Sequence, residues 1–428
     1  MRLIASTLVF LSFSACLSAQ NIDKIINETS VEQTERTLSS DDMRGRAVFT
    51  PDIERAADYI ESRFKAAGLK TWNGSDSYRQ PFTMVQATPV SAAGILDGEA
   101  VPAAHVIAMS SATELSIDEN SGYEKVWIKA GHNFATEVMH YIHEKKNYLV
   151  LVDTSYAANF SRLSRFGRQQ FKSPTNVICV LSSVNPTHYS IKVQQEIKES
   201  ALANVVGILP GKKKKNEIVI FSGHYDHLGV TKQPIKGDSI YNGANDDASG
   251  TTAVIELADY FSKQKNNGRT LVFAAFTAEE VGEYGSQYFS SQFDPERVKA
   301  MFNIEMIGSE SKWGGNSAFI TGFERSDMGK ILQRNLEGSK FTFYPDPYPE
   351  QQLFYRSDNA SLARQGVPAH TISTTQIDKD KYYHQLTDEL STIDIPNMVR
   401  IIKAIALSSA TIVDGTDTPS RVDKNQIR

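Results

Sequence analysis

Four short apolar runs from residue 205 onward constrain the fold more than any other feature of the chain. They are Val205–Leu209, Ile218–Phe221, Leu271–Phe276 and Met301–Ile304. Runs of this kind are typical of strands that are covered on both faces of a sheet. Between the second and third runs, apolar residues recur at helical spacing at Val254, Leu257, Ala258 and Phe261. The alternation predicts an α/β fold, with a mostly parallel mixed sheet flanked by helices.

Changes in these patterns divide the chain into segments. Residues 21–85 contain a predicted helix, which starts at Pro51 and stops near Gly68, and form the first part of the main domain. Residues 86–200 are interpreted as a smaller inserted module that contains β-strands such as Tyr148–Val152 and Val177–Leu181. Residues 201–413 form the rest of the main domain and end in a helix from about Ile395, and residues 414–428 read as a polar tail.

Residues 1–20 have the layout of a secretory signal peptide. Arg2 precedes an apolar stretch that runs to about Leu17, and small residues follow. This predicts an exported protein, periplasmic or extracellular. Lipid attachment at Cys16 is the alternative, because the residues before it loosely resemble a bacterial lipobox, and a buried apolar helix is the third interpretation. No later stretch holds 18 apolar residues in a row, so no transmembrane segment is predicted.

Composition excludes several classes of protein. With 45 basic and 50 acidic residues, the formal net charge of −5 argues against nucleic-acid binding, which normally requires a basic excess. Two cysteines, Cys16 and Cys179, are too few for a disulfide scaffold or a cysteine-rich zinc fold. An apolar content of 40% is that of an ordinary globular protein.

Acidic residues and histidines follow the apolar runs. They are His224 and Asp226, Asp246, Glu279 and Glu280, Glu305, and much later His384 and Asp388. Ligands of parallel sheets bind beyond the carboxyl ends of the strands, so these side chains are expected to converge. Ionised carboxylates at apolar strand ends need a compensating cation. Imidazole and carboxylate donors suit Zn²⁺, although Mn²⁺ or Co²⁺ would also fit such a set.

These motifs resemble peptidase family M28, zinc exopeptidases that include many secreted aminopeptidases. The resemblance covers His-x-Asp at 224–226, Gly-Ala-x-Asp-x-Ala-Ser-Gly at 243–250, Glu-Glu at 279–280, Asn-x-Glu-Met-Ile-Gly at 303–308, and His384 with Asp388. It extends to Leu38-Ser-Ser-Asp-Asp-Met-Arg-Gly-Arg46, Ser357-Asp-Asn and Gly366-Val-Pro-Ala369. The resemblance implies a zinc exopeptidase-like fold with residues 201–413 as its catalytic domain.

The resemblance also implies a ligand set for two zinc ions per chain. Asp246 would bridge the two ions. His224 and Glu305 would complete one site, and Glu280 and His384 the other. The family more often has Asp at the position of Glu305, whose side chain is one methylene longer.

Three further roles are implied by the same resemblance. Glu279 would be the general base that takes a proton from a water held between the metals. Asp226 would lie behind the imidazole of His224 and fix its orientation. Tyr383 would stabilise the tetrahedral intermediate.

The predicted function is that of a secreted zinc-dependent exopeptidase, an aminopeptidase that hydrolyses N-terminal residues from peptide substrates. One alternative is a glutaminyl cyclase, a single-zinc acyltransferase on the same fold, which the intact Ala248-Ser249-Gly250 run disfavours. The other is a non-catalytic binding protein with a peptidase scaffold. Every ligand position holds a competent donor, which disfavours that interpretation.

Other polar residues near the motifs receive structural interpretations. Asp247 is expected to cap the following helix. His227, one residue past the first motif, is interpreted as a wall residue. His140 and His143 are predicted to lie on a surface helix, because Glu144 is the only acidic residue beside them.

Overall fold

The computed structural model describes residues 22–427. The predicted signal peptide and Cys16 lie outside this range and remain predictions. Across the described residues, every helix is too short or too polar to traverse a lipid bilayer.

The chain forms two compact units. The main unit contains the described residues up to Gln80 together with those from Ala203 onward, and the inserted unit is Pro81–Leu202. The strands, in chain order, are β1 (Lys70–Thr71), β2 (Arg79–Leu96), β3 (Glu99–Val101), β4 (Val106–Met109), β5 (Glu114–Asp118), β6 (Glu124–Ile128), β7 (Tyr148–Asp153), β8 (Gln169–Phe171), β9 (Val177–Ser182), β10 (Tyr189–Leu209), β11 (Lys214–His224), β12 (Gly229–Ile235), β13 (Asp238–Tyr241), β14 (Arg269–Phe276), β15 (Val298–Ile304), β16 (Ser317–Ile320), β17 (Thr342–Pro345) and β18 (Ala369–Ser373).

The α-helices with both ends inside the described range, numbered along the chain, are α1 (Glu28–Leu38), α2 (Asp52–Ala66), α3 (Phe134–His143), α4 (Ala157–Phe160), α5 (Ser164–Arg168), α6 (Ser249–Gln264), α7 (Tyr284–Ser290), α8 (Met328–Asn335), α9 (Asn359–Ala363), α10 (Ile395–Ser408) and α11 (Ala410–Asp414). The helix predicted after Pro51 is α2, with Pro51 as its N-cap residue. The predicted final helix is divided at Ser409 into α10 and α11.

The sheet of the main unit is mixed, with a parallel centre. Its strand order is β17-β16-β18-β15-β11-β14-β10. Strand β11 runs parallel to β14 and to β15, and β15 runs parallel to β18. Strand β10 is antiparallel to β14, and β16 is antiparallel to β18. The predicted α/β class, with a mostly parallel mixed sheet flanked by helices, is confirmed.

The centre of this sheet is packed with aromatic rings. Phe221 on β11 stacks against Phe302 on β15 with 4.9 Å between ring centroids, and against Phe273 on β14 at 5.6 Å. Phe261 from α6 covers the same ring at 5.3 Å. Each of these side chains is buried, and full burial of a phenylalanine contributes about 1.5–3 kcal/mol. The apolar runs form strands because their side chains are covered in this way.

The inserted unit has its own sheet and core. Its strand order is β4-β9-β7-β6, with β7 parallel to both neighbours β6 and β9. Alternate residues of β7 enter different apolar clusters, Leu149 and Leu151 on one side and Val150 and Val152 on the other. Cys179 on β9 is a buried free cysteine. Because both faces of β7 and β9 are covered by apolar side chains, both strands appear in the sequence as unbroken apolar runs.

Helix α3 lies on the surface of the inserted unit. Val138 is buried in one of the two apolar clusters, whereas His140 and His143 are both exposed. His140 forms an ion-pair contact with Glu144 at 3.2 Å. The interpretation of these histidines as surface residues is confirmed.

Much of the described stretch from residue 414 onward is packed against the main unit rather than extending into solvent. The buried guanidinium of Arg269 donates to the carbonyl of Asp417 at 2.5 Å. Arg421 donates to the carbonyls of Pro295 and Val298, each at 3.0 Å, and Val422 is buried. The polar composition does not indicate this packing, because the segment is held by hydrogen bonds from arginine side chains to main-chain carbonyls and by the buried side chain of Val422.

Glu35 on α1 predicts a pH-dependent change in stability. Its carboxyl is fully buried against α6, where it accepts a hydrogen bond from Thr252 Oγ1 at 2.9 Å. Burial raises the pKa of Glu35 to about 8, from an ordinary value of 4.5. The carboxyl of Glu35 therefore loses its proton at a lower pH in the unfolded chain than in the folded protein. The stability that the protonated carboxyl contributes is lost as the pH rises from the unfolded-state pKa through the folded-state pKa.

We expect the Glu35→Gln variant to gain stability relative to wild type as the pH is raised from 5 to 8. The difference in melting temperature between the variant and wild type should increase by at least about 2 °C from pH 5 to pH 8, which corresponds to about 1 kcal/mol. Thermal unfolding at both pH values measures it, with the exposed Glu32 on the same helix replaced by Gln as the control. An equal offset at both pH values would contradict the expectation.

Candidate metal centre

The carboxyl ends of three neighbouring strands place the candidate residues. His224 is the last residue of β11 and pairs in register with Phe276, the last residue of β14. Glu279 and Glu280 follow shortly after β14, and Glu305 follows directly after β15. Because β11, β14 and β15 are parallel, these positions meet at one edge of the sheet.

The first cluster of donor atoms consists of His224, Asp246 and Glu305. Their candidate ligand atoms all lie within 4.8 Å of one another. His224 Nε2 is 3.2 Å from Asp246 Oδ1 and 4.0 Å from Glu279 Oε2. The two residues His224 and Asp246 are buried, and Glu305 is partly buried.

The second cluster lies on the other side of the same aspartate. Asp246 Oδ2 is 3.2 Å from His384 Nε2, which is also 3.2 Å from Glu280 Oε2. The other oxygen of Glu280 is 2.6 Å from His227 Nδ1. Asp246 therefore presents one carboxylate oxygen to each cluster, which is the arrangement that a bridging ligand requires.

The chemistry of the donors fits divalent metal ions. Within the part of the chain that the structure describes, no Lys or Arg side chain forms an ion pair with Asp246, Glu279, Glu280 or Glu305. Among the described residues, only histidines thus form ion-pair contacts with these carboxylates. Imidazole nitrogen and carboxylate oxygen are the donors that zinc takes in catalytic sites.

The electrostatics of these groups reflect the crowding of buried acids. Burial raises the pKa of Glu279 well above its ordinary value, and neighbouring carboxylates add to this against the attraction of His224. Burial raises the pKa of Glu305 as well. For Asp246, burial acts in the same direction, but contacts with His224 and His384 outweigh it and lower the pKa. The two histidines therefore favour the ionised form of Asp246.

Asp226 lies beside His224, closer through its main chain than through its side chain. The Nδ1 atom of His224 lies 3.1 Å from the main-chain carbonyl oxygen of Asp226 and 3.9 Å from its carboxylate. The carboxylate instead accepts hydrogen bonds from the main-chain N–H groups of Glu279, at 3.1 Å, and Glu280, at 3.3 Å. Two adjacent N–H groups at a strand end need an acceptor, and a buried carboxylate with two oxygens satisfies both.

Asp247 caps the helix that follows it, as predicted, and also binds two other segments. Its Oδ1 atom accepts from the N–H of Gly250 at the start of α6 and from that of Met306, each at 3.0 Å. Its Oδ2 atom accepts from the N–H of His224 at 3.2 Å. The peptide bond between Asp246 and Asp247 is cis. Asp247 therefore connects the segments that carry three of the candidate ligands.

The segment that carries His384 is attached to the centre through Asp388. The Asp388 carboxylate accepts from the main-chain N–H groups of Asn245 at 2.8 Å and Asp246 at 3.0 Å. The ring of Tyr383 stacks on the imidazole of His384 with 3.9 Å between centroids. Tyr383 thus supports this ligand through its ring.

Two residues of the centre, Ser357 and His227, are not predicted from the sequence to belong to the site. Ser357 Oγ donates a hydrogen bond to Glu305 Oε2 and accepts one from Asn303 Nδ2 at 2.7 Å. His227 is buried and contacts Glu280, so it is more than a wall residue. Ser357 belongs to a motif quoted for the resemblance, and His227 directly follows another, so both were within reach of the sequence.

Comparison with known proteins shows which family this arrangement of donor residues resembles. The profile of peptidase family M28 matches residues 204–409, which include all of the candidate ligands. Residues 204–409 therefore match peptidase family M28, and the protein is a metallopeptidase.

Relatives of this M28 peptidase agree with the assignment. A protein named a probable leucine aminopeptidase from Trichophyton verrucosum is 26% identical over 268 residues, which cover 58% of this chain and 68% of that protein. A probable zinc metalloprotease from Leptosphaeria maculans is 32% identical over 144 residues, which cover 32% of this chain and 33% of that protein. The solved aminopeptidase from Aneurinibacillus sp. strain AM-1 shares the fold, with a TM-score of 0.54 at 19% identity, covering 95% of this chain and 97% of that chain.

The contact of His227 with Glu280 leads to a prediction for the M28 peptidase. Removing the imidazole in His227→Ala is expected to weaken metal binding at the second cluster about 10- to 100-fold, the usual effect of removing a partner of a ligand. Chelator competition with metal analysis measures this. His140→Ala, which removes an exposed imidazole elsewhere, is the control. Unchanged binding in His227→Ala would show that the contact carries no metal affinity.

Proposed function

We propose that this M28 peptidase is a zinc-dependent exopeptidase, an aminopeptidase that hydrolyses N-terminal residues from peptides. The observation that carries the proposal is the position of Asp246, with one carboxylate oxygen 3.2 Å from His224 and the other 3.2 Å from His384. The relatives named aminopeptidase and zinc metalloprotease support the same class of reaction.

The residues of the two clusters would hold two zinc ions per chain. His224, Glu305 and one oxygen of Asp246 would hold the first ion, and Glu280, His384 and the other oxygen the second. Zinc bound there would lower the pKa of a coordinated water and polarise the carbonyl of the scissile bond. His227 and Ser357 would orient Glu280 and Glu305 through the hydrogen bonds that they make.

Glu279 is proposed as the general base. Its side chain is 12% exposed and its carboxylate is 4.0 Å from His224 Nε2, so it lies beside the metal ligands without belonging to either donor cluster. Burial raises the pKa of the Glu279 carboxyl well above its ordinary value, which makes this carboxylate a better proton acceptor than an exposed one. It would take up a proton at a carboxylate oxygen when water attacks, and return that proton to the departing amine. The Asp226 carboxylate would keep the main chain of Glu279 in place.

The density of acidic groups supports cleavage at the amino terminus. A free α-amine is attracted to carboxylates, whereas an acylated one carries no charge. We therefore expect aminoacyl p-nitroanilides to be hydrolysed and the matching N-acetyl compounds to be spared.

Zinc analysis and a substrate panel test the proposal together. Two zinc ions per chain and chelator-sensitive release of N-terminal residues would support it. Equal hydrolysis of acetylated substrates would contradict the exopeptidase assignment. Cyclisation of an N-terminal glutamine with one bound zinc and no hydrolysis would replace it with the cyclase, and absence of both metal and turnover would favour a binding protein.

Export through residues 1–20 is part of the proposal. It is supported by the charge and apolar pattern of that segment. N-terminal sequencing of the protein produced in a secreting host tests it, with a start near residue 20 or 21 as the expected result. A protein that starts at Met1, or one lipidated at Cys16, would contradict cleavage at that place.

A further inference from the structure

Arg46 has no role in the proposed reaction, yet its side chain is among the most completely satisfied in the molecule. It is fully buried. An arginine has five N–H groups, and here each of them has a main-chain carbonyl as its acceptor. The acceptors are Tyr225 for Nε at 2.9 Å, Leu38 and Asn242 for Nη1 at 2.8 and 2.5 Å, and Gly243 and Asp246 for Nη2 at 2.9 and 3.5 Å.

Four of these five carbonyls belong to the two segments that carry His224 and Asp246, and the fifth, that of Leu38, ends helix α1. Tyr225 lies between His224 and Asp226, and the segment 242–246 ends at the central aspartate. The main chain of Arg46 adds a further connection, since its carbonyl accepts from the N–H of His227 at 3.2 Å. One side chain thus joins two loops that are separate in sequence.

The local sequence holds Arg46 in this place. The three residues 44–46 all have positive φ values, of 49°, 67° and 51°. A Cβ atom on Gly45 would lie 2.5 Å from the carbonyl oxygen of Gly229 and 2.6 Å from that of Tyr241. Only glycine permits this close approach to β12 and β13. The turn formed by residues 44–46 therefore directs the side chain of Arg46 into the interior.

The chemistry of the site requires arginine rather than any cation. Lysine has three N–H groups on a flexible stem and leaves at least two of the five carbonyls unsatisfied. The guanidinium makes no ion pair with a carboxylate among the described residues, so its hydrogen bonds serve only to position main chain. Its charge is felt by Glu35, Asp388, Asp246 and Asp226.

We propose that Arg46 is a positioning residue of the metal centre, which sets the distance between the His224 segment and the Asp246 segment and thereby determines the affinity for metal. Arg46 lies outside the residues that the family profile matches. The inference rests on the proposed zinc centre, but it does not depend on which substrate the enzyme cleaves.

The test compares Arg46→Lys and Arg46→Met with Arg44→Met. Arg44 belongs to the same turn, but its side chain is 47% exposed and pairs with Asp52 at the surface. For each protein, zinc affinity is measured by chelator competition, the geometry of the site by the visible absorption of the Co²⁺-substituted form, and the stability of the metal-free form by thermal unfolding. Values of kcat and KM are added where turnover is present.

We expect Arg46→Met to lose about 10- to 100-fold in zinc affinity, the usual effect of disturbing the groups that orient ligands. Arg46→Lys should lose less, and the cobalt spectrum should change in both variants. Arg44→Met should match wild type in all three measurements. Where turnover is present, kcat should fall more than KM rises, because the ligands rather than the substrate pocket are displaced.

Three results would overturn the proposal. The first is a pair of folded Arg46 variants with the zinc affinity and cobalt spectrum of wild type. The second is lower stability with unchanged zinc affinity, which would assign Arg46 to the fold alone, and the third is failure of even Arg46→Lys to fold. Absence of aminopeptidase activity in wild type would contradict the proposed function but leave these zinc measurements decisive for Arg46.

Discussion

Replacing Glu279 with Gln is expected to abolish peptide hydrolysis while the protein keeps its metal. An amide has nearly the shape of the carboxylate but cannot accept the proton of the attacking water. Loss of a general base typically lowers the rate about 10²- to 10⁴-fold. Glu279 lies outside both donor clusters, so the metal content should not change. Steady-state kinetics and metal analysis of the same preparation measure the two quantities.

Glu280→Gln is the matched comparison for this experiment. Glu280 is the next residue in the same turn, and the main-chain N–H groups of both residues bind the Asp226 carboxylate. Its Oε2 atom lies 3.2 Å from His384 Nε2, within the second donor cluster. We expect this variant to lose metal as well as activity. Loss of zinc from Glu279→Gln, or full activity in it, would show that Glu279 is not the base.

Replacing Asp246 with Ala is expected to remove both metal ions. The side chain is buried and each of its oxygens faces a different histidine, so no other donor among residues 22–427 is placed to bridge the two clusters. Removing only a partner of a ligand already costs about 10- to 100-fold in metal affinity. Deletion of the shared ligand should weaken both sites by at least about 100-fold by the same comparison. Metal analysis after dialysis against a weak chelator measures the occupancy.

His384→Ala provides the contrast for Asp246→Ala. His384 contacts only the second cluster and is 35% exposed, so its removal should leave one metal ion in place. A stoichiometry near one for His384→Ala and near zero for Asp246→Ala would establish that Asp246 bridges. Two ions retained in Asp246→Ala would rule the bridging role out, whatever the activity of that variant.

Much of the fold followed from local properties of the sequence. A run such as Leu271–Phe276 has no polar face, so it is stable only where both sides are covered, and that condition makes it an inner strand. Helix α6 was predictable because one stripe of its residues, which includes Phe261, must meet the sheet. The division of the last predicted helix at Ser409 is not among the predictions, although Ser408 and Ser409 interrupt the apolar stripe at that point.

The residue types of the candidate site followed from chemistry, but their contacts did not. Asp226 is predicted to orient the imidazole of His224, and its main-chain carbonyl lies 3.1 Å from His224 Nδ1. Its carboxylate also binds the main chain of Glu279 and Glu280, which the sequence did not indicate. His227 was interpreted as a wall residue and lies 2.6 Å from Glu280. In both cases the decisive partner lies more than 50 residues away along the chain. Local patterns carry no information about such pairs.

By itself, the sequence determined which residues meet at the edge of the sheet, because apolar runs specify inner strands and parallel neighbours end together. It also indicated that these residues can act as metal donors, because histidines and carboxylates crowded at apolar strand ends need a cation. Only the tertiary structure decided that the two oxygens of Asp246 face different clusters, and that Arg46 reaches the carbonyl of Tyr225 from 179 residues away. The physical reason is that burial depends on each residue's own character, whereas a hydrogen bond depends on where the partner's segment is held.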